Sequence, residues 1–173
     1  LAFSLILRTR MGEVDHLQKF TALAALAVCE AVNSLGLPAK IKWPNDVLLN
    51  GRKFCGILAE TSWLDATPQH VILGIGINVG AASVPAAQVL NFPATSLESE
   101  SGENFNRLIL LQQVVKKIIT WRGQIGEQGF MNAWEKNLAF MGEQVVHKGG
   151  TEGEQVGWVE GLASDGSLML RSP

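Results

Sequence analysis

Charge, cysteine and histidine are all scarce in this 173-residue chain. Charged residues make up 17% of it and leave a formal net charge of −2, which gives no electrostatic case for nucleic acid or an anionic membrane as partner. The two cysteines, Cys29 and Cys55, are too few for a disulfide framework. Both sit among apolar neighbours and read as reduced core thiols of a cytoplasmic protein. The three histidines, His16, His70 and His147, are scattered, with no pair at metal-ligand spacing. No run of about 18 apolar residues is present, so a hydrophobic spanning helix is excluded, and these residues hold no signal-peptide pattern. A Ser/His/Asp set and a Cys/His pair are missing too. A reaction that leans on a strong general base is poorly served; one that needs orientation and cations at a developing charge fits better.

What the chain does have is apolar mass: 47% hydrophobic residues and five tryptophans, enough to bury a core. Its length suits one domain with a small appendage. Residues 2–9 alternate as a strand. Asp15 and Gln18 have capping-box spacing and open a helix to about Leu35, apolar almost all round and therefore buried. Gly36 and Pro38 end it. Strands follow at 39–43, 46–50 and 53–60, with Asn50-Gly51 as a type I′ hairpin turn. "TSWLDATPQ" reads as a loop, "HVILGIGINVG" as a fourth strand, and 80–103 as irregular. A helix over 104–126 carries Phe105, Leu108, Leu111 and Val115 at helical spacing, and a short one over 127–139 carries Phe130 and Trp134. Beyond Met141 come short strands with Gly-rich turns, one of them Asp165-Gly166, an all-β tail.

Two strands hold the candidate chemistry. Alternation puts Lys53, Cys55, Ile57 and Ala59 on one face, and Phe54, Gly56, Leu58 and Glu60 on the other. Lys53 then either snorkels from the strand end or projects into a cavity that takes an anion. Gly56 inside the strand marks close approach by a ligand or another backbone. In the fourth strand, Ile72, Gly74, Gly76 and Asn78 share a nearly bare face, opposite Val71, Leu73, Ile75 and Ile77. That bare strip suits either a flat ligand or a closely packed helix. A dinucleotide fingerprint fails there, because the third glycine comes one place late and no helix start follows. In "WPND", Asn45 and Asp46 are ordinary turn residues, or they face the same cavity as Lys53.

The run "KWPNDVLLNGRKFCGILAE" at 42–60, followed by "VILGIGINVG", resembles the catalytic domain of biotin–protein ligases; "PATSL" at 93–97 and the tail strands also fit. The resemblance implies an α+β fold, a mixed or antiparallel sheet flanked by helices. It is related to class II aminoacyl-tRNA synthetases and is followed by a small SH3-like β-barrel, with a catalytic domain over 1–140 and the barrel over 141–173. It implies biotin activation by ATP and Mg²⁺ to biotinyl-5′-AMP, then transfer to a lysine of a biotin carrier domain of acetyl-CoA carboxylase type, with a homodimer possible. By motif, Lys53 and Asp46 would be catalytic. Lys53, Gly56, Ile57, Leu58, Gly74 and Gly76 would bind biotin. Lys42, Asn45, Asn78, Thr95 and Ser96 would bind the nucleotide, with Asp46 and Asn78 near the metal ion. The family's Gly/Arg-rich biotin loop and the Ser/Thr strand before it have no counterpart here, nor has a DNA-binding domain. The chain reads as a fragment with impaired activity. A lipoate–protein ligase and a non-catalytic binding or dimerisation remnant are the alternatives.

Overall fold

A computed structural model of the chain describes residues 1–86, 92–148 and 153–172. Residues 87–91 of the irregular stretch expected over 80–103, residues 149–152 of a Gly-rich turn, and residue 173 lie outside the described residues. Five strands, β1 (Ala2–Arg8), β2 (Ala39–Lys42), β3 (Asp46–Leu49), β4 (Arg52–Leu64) and β5 (Thr67–Ile77), form one antiparallel sheet in the order β1-β5-β4-β3-β2. Helices cover one face of it, giving the α+β class. Helix α1 (Phe20–Asn33) is buried along most of its length, as its Ala- and Leu-rich sequence demands, and packs on Val71, Leu73, Ile75 and Ile77 of β5. Its polar exit, Glu30, takes Lys117 Nζ at 2.8 Å and Trp121 Nε1 at 3.1 Å.

The capping box expected at Asp15 does not form, and residues Met11–Lys19 make a 3₁₀ stretch before α1 begins. Glu13 has taken that role earlier in the chain: its carboxylate accepts the Arg10 N–H at 3.0 Å and is gripped by Arg122 through Nε at 2.6 Å and Nη2 at 2.8 Å. The Asn50-Gly51 turn forms as expected, with φ of 50° and 74°. The expected loop "TSWLDATPQ" is instead strand on both sides of a tight turn at Asp65, whose φ is 52°. A register shift after Ser62 accommodates Pro68 opposite Trp63.

After a short helix, α2 (Leu97–Ser101), inside the stretch expected to be irregular, α3 (Arg107–Arg122) and α4 (Gln128–Lys136) cover the core. The buried stripe of α3 is Leu110, Val114 and Ile118, not the expected Phe105, Leu108, Leu111 and Val115, and Leu108 is 75% exposed. Both stripes have helical spacing. Asn106, whose Oδ1 accepts the N–H groups of Leu108 and Ile109, fixes where the helix starts, and packing against α1 decides which stripe turns inward.

The tail makes β6 (Gln144–Lys148), β7 (Glu154–Leu162) and β8 (Leu168–Arg171), an antiparallel sheet in the order β6-β7-β8. Among the described residues it is an open three-stranded sheet; the closed SH3-like barrel does not appear, since three strands cannot close on themselves. It is fastened to the main body: Trp43 Nε1 donates to Gly166 O at 3.0 Å, and Leu162 N–H donates to Glu135 Oε1 at 2.9 Å. Among the described residues no helix is long and apolar enough to cross a membrane.

Candidate active site

The site starts from an irregularity in β4. Val47 pairs with Cys55 but Leu48 pairs with Lys53, so Phe54 is an extra residue bulged out of the ladder. Phe54 and Cys55 are both buried in the core. The alternation therefore resets, and Lys53 lies over Gly56, not in line with Cys55, Ile57 and Ala59 as strict alternation required. A β-carbon placed on Gly56 would sit 3.2 Å from Lys53 Cε and 3.3 Å from Nζ.

Across the ladder from Gly56 stands Asp46, 8% exposed. Lys53 Nζ lies 2.5 Å from its Oδ1, an ion pair without hydrogen-bond geometry, and Lys42 Nζ donates to Oδ2 at 3.2 Å. Two ammonium groups thus share one carboxylate, which leaves a net positive cluster. Beside it the sheet is bare. Gly56 pairs with Gly76 and Gly76 with Ala2, and the nearest atom to an added β-carbon on Gly76 is 3.9 Å away. Leu58 and Ile6 on this face are 61% and 70% exposed. Among the described residues no helix covers the strip, which removes the packed-helix alternative.

The cluster and the strip open into a cleft of about 560 Å³ whose lining includes Lys42, Asp46, Lys53, Gly56, Gly76 and Asn78, closed on the far side by Phe92 and Ala94. Lys42 Nζ sits 5.0 Å above the Phe92 ring centroid, a cation–π contact. The far wall is tied to β4 by main-chain bonds: Lys53 N–H donates to Pro93 O at 2.8 Å and Thr95 N–H to Lys53 O at 2.9 Å. Asn78 Nδ2 donates to Thr95 O at 3.1 Å.

The other expected residues are distributed differently. Thr95 and Ser96 are buried. The Thr95 hydroxyl donates to Glu100, and Ser96 Oγ accepts the Ser99 N–H at 3.2 Å as the cap of α2. Asn45, Ile57 and Leu58 border a second cleft of about 400 Å³, between Trp43, Trp134 and the Gly166 turn. There Asn45 Nδ2 donates to Ile57 O at 3.0 Å. Gly74 lies on the open sheet, bordering neither cleft.

Sequence reasoning missed Glu100 and Arg52. The Glu100 side chain is 4% exposed, with Arg52 Nη2 at 2.5 Å and Asn50 Nδ2 at 2.7 Å. Burial alone would raise this carboxyl, but the hydrogen bonds from Thr95 and Asn50 and the Arg52 charge outweigh it and hold it below its ordinary value. "LESES" offers two glutamates with equal claims, so the one signal available was a basic residue directly after the Asn-Gly turn. Beneath the site, burial pushes the Cys55 thiol up, and it pushes that of Cys29 to about 12. No group of three or more His, Cys, Asp or Glu that could hold a metal ion occurs among the described residues.

The profile of the biotin/lipoate A/B protein ligase family matches residues 1–78. A biotin–[acetyl-CoA-carboxylase] ligase of Paracoccus denitrificans is 36% identical over 99% of this chain and 74% of its own length. The chain belongs to the biotin/lipoate A/B protein ligase family. The bifunctional ligase/repressor BirA of Bacillus subtilis is 38% identical over 65% of this chain, which spans only 34% of that relative. Among solved structures, the biotin protein ligase from Aquifex aeolicus in its apo form superposes with a TM-score of 0.82 at 28% identity, covering 99% of this chain and 74% of that one. Its complex with biotin and ATP gives 0.81 at 29%, covering 98% and 70%.

Proposed function

We propose that this chain carries the reaction face of a ligase that activates biotin with ATP as biotinyl-5′-AMP and hands it to a lysine of a biotin carrier domain of acetyl-CoA carboxylase type. The observation that carries this reading is the position of Lys53, drawn by the bulge over Gly56 and onto Asp46 at the rim of the uncovered glycine strip. In the first step a carboxylate oxygen of biotin attacks the α-phosphorus and pyrophosphate leaves with the bonding electrons. Negative charge grows on the phosphate oxygens, where the ammonium groups of Lys53 and Lys42 stabilise it. In the second step the carrier amine attacks the acyl carbon, AMP leaves, and the amine loses a proton. Asp46, released from one lysine as the ligand charge claims it, would orient that amine or accept its proton.

On this reading Gly56, Gly74 and Gly76 are the floor for the ligand, with Leu58 beside its apolar part, while Ile57 packs beneath the sheet in the core. Lys42, Asn45 and Asn78 serve the phosphate side, and Thr95 and Ser96 act from behind by shaping the wall. Asp46 and Asn78 do not fit a protein-held Mg²⁺ site, because both carboxylate oxygens already meet ammonium groups. Mg²⁺ would enter on the phosphates of the nucleotide. The division into 1–140 and a small β module over 141–173 is supported by the two separate sheets, and sedimentation would test the homodimer.

Lys53→Ala should lower the rate of biotinyl-adenylate formation about 100-fold or more while the melting temperature moves by only a few degrees, because Lys42 still pairs Asp46. A variant that unfolds with its chemistry intact would return Lys53 to a structural role. Calorimetry with biotin plus ATP against lipoate plus ATP separates the two ligase readings, and heat from neither supports a non-catalytic remnant or a fragment with impaired activity.

A further inference from the structure

The cleft wall opposite Lys53 is anchored from outside the cleft, and we infer that Glu100, with Arg52, is the positioning pair that sets this wall for the nucleotide. The inference rests on the adenylating function proposed above. Residues 92–95 bring Phe92 and Ala94 to the cleft, but β4 holds them by only a short bridge: the Lys53 N–H to Pro93 and the Thr95 N–H to Lys53. Beyond them the chain is pinned to the core by Leu97, fully buried, whose N–H donates to Asn78 O at 3.0 Å. Three residues past Leu97 stands Glu100. From α2 it reaches back to take the Thr95 hydroxyl on one oxygen and Asn50 of the hairpin turn on the other, with Arg52 closing an ion pair.

One carboxylate therefore joins the hairpin turn to the wall. The hairpin is also the element that carries Lys53, two residues past Gly51. Anything that loosens Glu100 loosens the wall and the main-chain bonds on both sides of the lysine together. Glu100 and Arg52 touch no ligand on this account. They act through residues 92–95, and Leu97 keeps the segment folded when they are removed.

The test is Glu100→Ala beside Glu100→Gln, with Arg52→Gln as an independent break of the same latch. In Glu100→Ala the KM for ATP should rise about tenfold, with kcat and the KM for biotin within about twofold of the parent. Glu100→Gln keeps an oxygen for Thr95 and should recover most of that loss. Amide hydrogen exchange at Lys53 and Thr95 should quicken in Glu100→Ala and in Arg52→Gln, while exchange at Leu97 stays slow. A lower kcat with both KM values unchanged, or unaltered exchange at Lys53 and Thr95, overturns the inference. Should the parent protein neither bind nor turn over biotin and ATP, the proposed function falls; the exchange comparison then still decides for or against the latch.

Discussion

Asp46 holds two ammonium groups, at 2.5 Å and 3.2 Å, and faces a strip of sheet with no side chains on it. The charge and the emptiness work together: an anionic group can come down onto the main chain and still meet a cation. That makes the glycines testable by filling the space they leave. Gly76 has ordinary strand geometry, and an added β-carbon meets nothing closer than 3.9 Å. Gly76→Val should therefore fold with an unchanged or slightly higher melting temperature, since valine suits a strand better than glycine. Its affinity for biotin with ATP should fall at least tenfold by calorimetry, roughly the 1.4 kcal/mol that such a factor represents. Full affinity in a stable Gly76→Val protein would move the ligand off this strip. At this scale the residue types were legible in the sequence, but the face of Lys53 was not. A bulge is a property of two strands paired at a given register, and alternation along one strand carries no trace of it.

Elements differ in how much of them local pattern could fix. Helix α1 is apolar on every side and needed no choice of face. Helix α3 has apolar residues on several sides, and its buried stripe is set by the core it packs against, which one helix read alone does not show. The β4–β5 hairpin was hidden because Asp65 and Pro68 resemble loop residues when read without their cross-strand partners. The junction of α3 with the 3₁₀ stretch before α1 gives a pH prediction. Burial would raise the Glu13 carboxyl, but the Arg122 hydrogen bonds and the Arg10 N–H outweigh it and hold it below its ordinary value. A carboxyl lowered on folding adds stability that is complete above the unfolded value of 4.5 and is lost as pH falls through the folded one. Glu100 has the same sign. Urea midpoints should hold steady from neutrality to about pH 5 and then drop. In Arg122→Gln, which leaves Glu13 buried without its cation, stability at pH 7 should be lower by about 3 kcal/mol. The drop below pH 5 should also be shallower. A parallel shift at all pH values would remove Glu13 as the source.

Over the whole molecule, the main sheet and the tail are joined at the indoles of Trp43 and Trp134. Trp134 is 3% exposed and lies against Gly166, where an added β-carbon would come within 2.7 Å of its ring. Trp134→Ala should cost about 3–5 kcal/mol and expose the tail strands to limited proteolysis before the main sheet is cut. Simultaneous digestion of both would mean that the tail is held by other contacts. The α+β class and the family were legible in the sequence through two motifs in order. The open sheet of the tail was not, because turn spacing announces strands without announcing how many close a barrel.

The bulge at Phe54 also has a meaning for chain length. A surface hairpin usually tolerates a residue more or less, and this one carries the Asn-Gly turn that such hairpins favour. Here the extra residue is taken up by the bulge, and the bulge decides which side of the sheet receives the cation. Drawing Phe54 back into the ladder with no residue lost would leave three steps between Lys53 and Gly56 and turn the lysine toward the hydrophobic core, whereas deleting Phe54 would leave it on the glycine face. A deletion of Phe54 should therefore keep the cation over the strip and show its cost in the core, from which it removes a fully buried ring.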